Sequence, residues 1–153
     1  FKLLQNVSIN PIEDAENLLR WLMFNFLAGN ADAHAKNLAL LYNNQHKPQL
    51  APFYDLVCTR AIKSISRKLA MSIGGEDDPD LITLKHWQKL AEDCDIRGTY
   101  VIKLLKEVTQ GLLDNFTLVQ NQFEQKNGEQ PALQRVKKVL TKQCERMIIL
   151  LKL

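Results

Sequence analysis

Cysteine is scarce in this sequence, and the three present, Cys58, Cys94 and Cys144, are odd in number, far apart and never spaced as C-x-x-C. That argues against a disulfide framework or a cysteine-based zinc site and predicts reduced, buried thiols in a cytoplasmic setting. Long apolar runs are missing as well. Even the oiliest stretch, "LLRWLMFNFLAG", is broken by Arg20 and Asn25, so no membrane-spanning helix is expected, and no charged leader with a cleavage site is seen. Charge of one sign is also lacking. Twenty basic residues face 17 acidic ones for a net charge of +3, too small a field to mark a nucleic-acid binder, so any contact with a polyanion must be local. Glycine occurs six times and never as a phosphate-cradling loop, because Gly74 and Gly75 lead into acids rather than a helix, and no V-A-I-K-like strand with its lysine is found.

What is present is an amphipathic, mostly helical pattern. With 153 residues, 46% of them hydrophobic, the chain can build one domain over 1–153 around a real core. Asn10, Pro11 and Glu13 stand as N-cap, first-turn proline and N3 glutamate, and Leu18, Leu19, Leu22, Met23, Phe26 and Leu27 follow at helical spacing until Gly29. The segments "LALLY" and "QLAPF" flank the turn-rich "NNQHKP", and Pro48 and Pro52 exclude a helix, leaving a short β-hairpin. A short apolar piece, "KLAMSI", and the acidic turn "GGEDDPD" precede a helix from about Thr83 with Leu84, Trp87, Leu90, Ala91 and Cys94 on one face. Two longer helices close the chain. The first carries Val101, Leu104, Leu105, Val108, Leu112, Phe116, Val119 and Phe123 as a core stripe up to Gly128, and the second, opened by Pro131, uses Leu133, Val136, Leu140, Met147 and Leu151. The expected fold class is mainly α with one small hairpin.

Between the first helix and the hairpin lies "FLAGNADAHAKNLALLY", a polar loop with apolar anchors on both sides, which is a place where chemistry can be held still. Asp32 is followed five residues later by Asn37, the spacing at which a kinase catalytic loop places the Asp that receives the acceptor hydroxyl's proton and the Asn that ligates Mg²⁺. By composition alone, that pair would arise in roughly a third of chains this long. The hairpin then returns the chain to "PFYDL", where Asp55 stands at a strand end as the metal-binding Asp of a D-F-G segment does. A hard, oxygen-preferring cation such as Mg²⁺ suits Asn37 and Asp55, and phosphoryl transfer asks little of a protein beyond positioning and charge neutralisation.

The blocks "GNADAHAKNLALLY", "LAPFYDLVCT" and "RKLAMSIGG" together resemble the carboxy-terminal kinase lobe of the HipA family, whose motif reads approximately N-x-D-x-H-x-K-N, a hairpin, then A-P-x-Y-D-L. The resemblance implies the helical lobe of a bacterial toxin Ser/Thr protein kinase that uses ATP and Mg²⁺, phosphorylates an aminoacyl-tRNA synthetase and is restrained by a helix-turn-helix antitoxin. By position it makes Asp32 the catalytic base and Asn37 and Asp55 the metal ligands, and it brings His34, Lys36 and Tyr54 into the nucleotide-binding set. A lysine in typical protein kinases follows the catalytic Asp by two positions, where this chain has His34, so spacing alone does not give Lys36 that role. The resemblance also implies that the ATP-covering amino-terminal lobe is absent from this chain, which opens on Phe1 rather than methionine, and that the fragment by itself is inert or nearly so.

Other readings stay open at this stage. Asp32 could cap backbone amides, His34 could be an ordinary hydrogen-bonded histidine and Asn37 could hold a turn. An aminoglycoside- or choline-kinase type of phosphotransferase shares the D-x-x-x-x-N loop, a non-catalytic helical interaction module would need none of it, and a zinc hydrolase built on Asp32, His34 and Asp55 ranks last, because a catalytic zinc site usually needs three firm N, O or S ligands and only one histidine is near. Arg60, Lys63, Arg67 and Lys68 form a basic run read as a solvated loop or a grip on substrate. Glu76, Asp77, Asp78 and Asp80 read as an exposed turn that pairs with that run, and Lys137, Lys138, Lys142 and Arg146 as a solvated helix face.

Overall fold

The computed structural model describes residues 1–42 and 48–152; most of the expected "NNQHKP" turn lies outside them. Five helices and one hairpin follow in the order α1 (Lys2–Val7), α2 (Pro11–Ala28), β1 (Leu40–Tyr42), β2 (Pro48–Leu50), α3 (Leu84–Asp93), α4 (Gly98–Asn127) and α5 (Pro131–Leu151). The fold is mainly α, as the sequence predicts.

Helix α2 is the central element. Pro11 supplies a preset φ at its first position, Glu13 and Asp14 face the positive end of its dipole, and Gly29 ends it in the left-handed conformation at φ 77°. Asn10 occupies the N-cap position, yet its side chain makes no cap hydrogen bond; instead Asn10 N–H donates to Ser8 Oγ at 2.9 Å. Both sides of α2 are covered. Met23, Phe26 and Leu27 join Ile82, Trp87, Val101, Leu105, Cys144 and Met147 in the main core, while Leu18 and Trp21 join Leu4 of α1 and Ala33 in a second cluster under the polar loop. The edge-on contact of Phe26 with Trp87, at 5.4 Å between centroids, ties α2 to α3.

The structure adds to the sequence reading and changes it in one place. Helix α1 was not foreseen, because "KLLQNV" is too short to show a period and carries no capping residue. In α4 the stripe is buried only in its first half: Val119 and Phe123, expected in the core, are 59% and 46% exposed. The short apolar piece "KLAMSI" is irregular, tied by Ala70 N–H to Ala31 O at 2.9 Å and by an isolated bridge between Ile73 and Glu76.

The hairpin is pinned by a buried carboxylate. Asp14 Oδ2 accepts from Ser8 Oγ at 2.6 Å and from Leu50 N–H at 2.8 Å, so β2 is held on α2 while Leu40 pairs with Leu50 and Tyr42 with Pro48. All three cysteines are free. Burial, with the Glu145 charge as a lesser cause, pushes the Cys144 thiol up to about 12, and burial also raises Cys58 and Cys94. At pH 8 a maleimide should therefore label the half-buried Cys58 and Cys94 slowly and Cys144 only after unfolding, as read by peptide mapping; early labelling of Cys144 would contradict this packing.

Candidate active site

The polar loop begins where Gly29 ends α2, and its backbone is fastened from below. Asn30 N–H donates to Asn25 O at 2.8 Å, Ala31 N–H to Thr59 Oγ1 at 2.7 Å, and Arg60 N–H to Gly29 O at 3.0 Å. A β-carbon at Gly29 would sit 2.6 Å from Val139 Cγ1, so α5 also packs on this turn. A single 3₁₀ turn, Ala35–Asn37, then directs the Asn37 side chain inward, where it is buried. Phe53 stacks at a tilt on Trp21 with 5.9 Å between centroids, and so sets the second loop, Tyr54 and Asp55, against the same cluster.

The two loops meet through Asn37 and Asp55, whose Nδ2 to Oδ2 distance is 2.6 Å. Asp55 stands at φ 58°, a left-handed conformation uncommon outside glycine. Asn37 Oδ1, the atom of an asparagine that ligates cations, is buried and without a hydrogen-bond partner among the described residues. An orphaned amide oxygen beside a carboxylate fits a hard cation whose remaining ligands are waters and phosphate oxygens, as Mg²⁺ prefers. No cluster of three His, Cys, Asp or Glu side chains able to hold a metal occurs among the described residues.

Asp32 points outward. Its side chain is 67% exposed, it caps no backbone amide among the described residues, and His34 Nε2 lies 3.6 Å from Oδ1. Lys36 is exposed, and its carbonyl accepts from Tyr54 Oη at 3.0 Å, a bond that joins the two loops a second time. The six residues expected from sequence therefore fall on two adjoining loops, with Asn37–Asp55, Asp32–His34 and Lys36–Tyr54 as neighbouring pairs.

Sequence reasoning gave no role to Asn30 or Thr59. Asn30 is 4% exposed; its Nδ2 donates to Asn25 Oδ1 at 2.8 Å and to Asp55 O at 3.0 Å, while its Oδ1 accepts from Asp32 N–H at 3.1 Å. The signal available was Asn30's place at the head of the N-x-D-x-H-x-K-N pattern. The basic run also needs correction. The run pairs with the acidic turn as expected, but the Arg60 side chain is only 4% exposed rather than solvated, its Nη2 bonding both Asp80 oxygens at 3.0 and 3.1 Å; the exposed Lys68 pairs with Asp77 at 3.0 Å, and Lys63 and Arg67 form no ion pair among the described residues. Burial alone would raise the Asp80 pKa, but the Arg60 hydrogen bond and charge prevail and hold it below the usual range. Arg146, expected in solvent, instead donates to Pro79 O at 2.6 Å and to Ile82 O, so α5 grips the acidic turn.

A family model described as HipA-like C-terminal domain matches residues 1–116. A putative kinase of Sinorhizobium fredii, Y4mE, is 41% identical over 96 residues, which is 63% of this chain and 23% of that relative. The serine/threonine-protein kinase toxin HipA of Shewanella oneidensis is 38% identical over 73 residues, 48% of this chain and 17% of the relative. The fold is similar to a chain of the solved Shewanella oneidensis MR-1 toxin-antitoxin complex of HipA, HipB and its operator DNA, with a TM-score of 0.84 at 24% identity over 97% of this chain and 35% of that one. The chain thus spans about a quarter of the length of the first of these relatives and less of the second.

Proposed function

This chain belongs to the HipA-like C-terminal domain family, and from that premise we propose that it is the catalytic-loop lobe of a Ser/Thr protein kinase that moves the γ-phosphoryl group of ATP to a protein hydroxyl. One observation carries the reading: Asn37 and Asp55 are in contact at 2.6 Å with the Asn37 amide oxygen left over, and Asp32 stands exposed on the same loop. Asn37 Oδ1 and an Asp55 oxygen would hold Mg²⁺, which would neutralise charge on the phosphates when bound. Asp32 takes the proton as the acceptor oxygen bonds to Pγ; the Pγ–O bond to the β-phosphate breaks and ADP leaves. His34, Lys36 and Tyr54 line the approach of the nucleotide. Names of relatives as kinases, one of them a serine/threonine-protein kinase toxin, support a protein acceptor, for which an aminoacyl-tRNA synthetase is the first candidate. A helix-turn-helix antitoxin is the proposed restraining partner, through which contact with DNA would be indirect; the solved complex of the similar chain includes HipB and operator DNA.

Incubating the complete kinase with radiolabelled ATP, Mg²⁺ and purified synthetases should place label on serine or threonine. Label on aminoglycosides or choline instead would overturn the protein-kinase assignment. The 153-residue chain offers two short strands among its described residues and no glycine-rich phosphate loop, so by calorimetry it should bind ATP and Mg²⁺ more weakly than micromolar. Micromolar or tighter binding would show that these residues alone form the nucleotide site.

A further inference from the structure

We infer that Asn30 is a positioning residue that sets both catalytic carboxylates at once, by clamping the backbone of Asp32 and of Asp55 with the two ends of one buried amide. The inference rests on the function proposed above and assigns a role to a side chain that touches neither substrate nor metal. The geometry is specific. Asn30 Oδ1 accepts from Asp32 N–H at 3.1 Å, and Nδ2 donates both to Asp55 O at 3.0 Å and to Asn25 Oδ1 at 2.8 Å. Asn25, 2% exposed, is itself fixed by its Nδ2 donating to Trp21 O at 2.8 Å, so the clamp is bolted to the last turns of α2.

What the clamp does follows from the backbone of Asp55. A non-glycine residue at φ 58° sits in a conformation that persists only when its surroundings over-determine it. The Asn30 bond to the Asp55 carbonyl is a restraint of that kind, and it acts on the peptide group just after the carboxylate-bearing α-carbon. Without it Asp55 relaxes toward the extended region, its carboxylate swings off Asn37 Nδ2, and the pair that would hold a cation comes apart. The other end of the amide fixes the start of the Asp32 turn, so both loops are referred to one rigid group rather than to each other. Side-chain hydrogen bonds of this sort orient functional groups without joining the chemistry.

The test is NMR on the metal-free chain, followed by titration with Mn²⁺ as a paramagnetic probe. Asn30→Ala should move the Asp55 Cα resonance away from its left-handed position, shift the Asn37 side-chain NH₂ signals, and raise the Mn²⁺ needed to broaden Asp55 and Asn37 at least tenfold. Asn30→Asp keeps the shape and the acceptor for Asp32 N–H but loses the donor to Asp55 O and Asn25 Oδ1, so it should displace Asp55 while the Asp32 amide signal stays near its place; it also serves should the alanine variant fail to fold. Thr109→Val removes a different buried bond, Thr109 Oγ1 to Leu105 O at 2.7 Å, and controls for loss of stability by leaving all these signals in place. If Asp55 and Asn37 resonate as in wild type in Asn30→Asp, or if Thr109→Val moves them equally, the clamp is refuted. If the wild type shows no Mn²⁺ broadening, it is the metal assignment of Asn37 and Asp55 that falls, and the clamp is judged by the metal-free resonances.

Discussion

Asp32→Asn and Asp55→Asn are each expected to lower phosphorylation by the complete kinase by about 10²- to 10⁴-fold while leaving stability within about 1 kcal/mol. Asparagine is the informative replacement at both positions. At Asp55 it tolerates φ 58° better than alanine, and it can still accept from Asn37 Nδ2, so the local fold is kept while the charge toward a cation is removed. At Asp32 the side chain is 67% exposed and His34 Nε2 stands 3.6 Å from its Oδ1, beyond hydrogen-bond distance, so little folding energy depends on it. Initial rates with saturating ATP and denaturant midpoints decide the matter. Retained activity with a large fall in stability would assign both carboxylates to the fold and remove the observation on which the kinase reading stands.

The sequence made some elements legible because punctuation and period agree. Pro11 and Gly29 bracket a 3.6-residue apolar pattern, and α2 runs between them. Helix α1 has six residues and no cap, so its burial of Leu4 against Trp21 is a tertiary fact with no local sign. The stripe of α4 shows a different limit. Periodicity identifies a face, but not whether anything covers it: Val101, Leu104 and Leu105 are enclosed by the main core, while Val119 and Phe123 continue the same face beyond it and stay exposed.

The site divides in the same way. Asp32, Asn37 and Asp55 could be singled out because a spacing and a strand end carry chemical meaning, and the fold brings Asn37 and Asp55 into contact. Asn30 and Thr59 could not, since an amide or hydroxyl in a loop has many local uses and its partners here, Asp55 and Ala31, lie 25 and 28 residues away. Arg60 was misread for a related reason. In sequence it is one of four similar cations, and only the folded chain separates it from Lys63 by burying its guanidinium against Asp80.

That separation yields the second large effect. Arg60→Ala should destabilise the chain by about 2 kcal/mol, less than the cost of breaking a wholly buried pair because Asp80 is 41% exposed, whereas Lys63→Ala should stay within about 0.5 kcal/mol. The loss arises in the side chain, because the guanidinium holds Asp80 and the turn around Asp80 is gripped by Arg146 and Gln143 of α5 through Pro79 O, whereas the backbone N–H that holds Gly29 O is kept in the variant. The pH dependence has a definite sign. Desolvation works to raise the Asp80 pKa, but the Arg60 hydrogen bond and charge outweigh it, so the folded value lies below the unfolded one of about 3.9. The stabilisation is then fully present above that unfolded value and is lost as pH falls through the folded one. Urea midpoints should accordingly show wild type more stable than Asp80→Asn at pH 7, with the gap closing as the solution is taken below about pH 4. A gap that is constant with pH, or an Arg60→Ala variant as stable as Lys63→Ala, would mean that the pair is incidental to the stability of the chain.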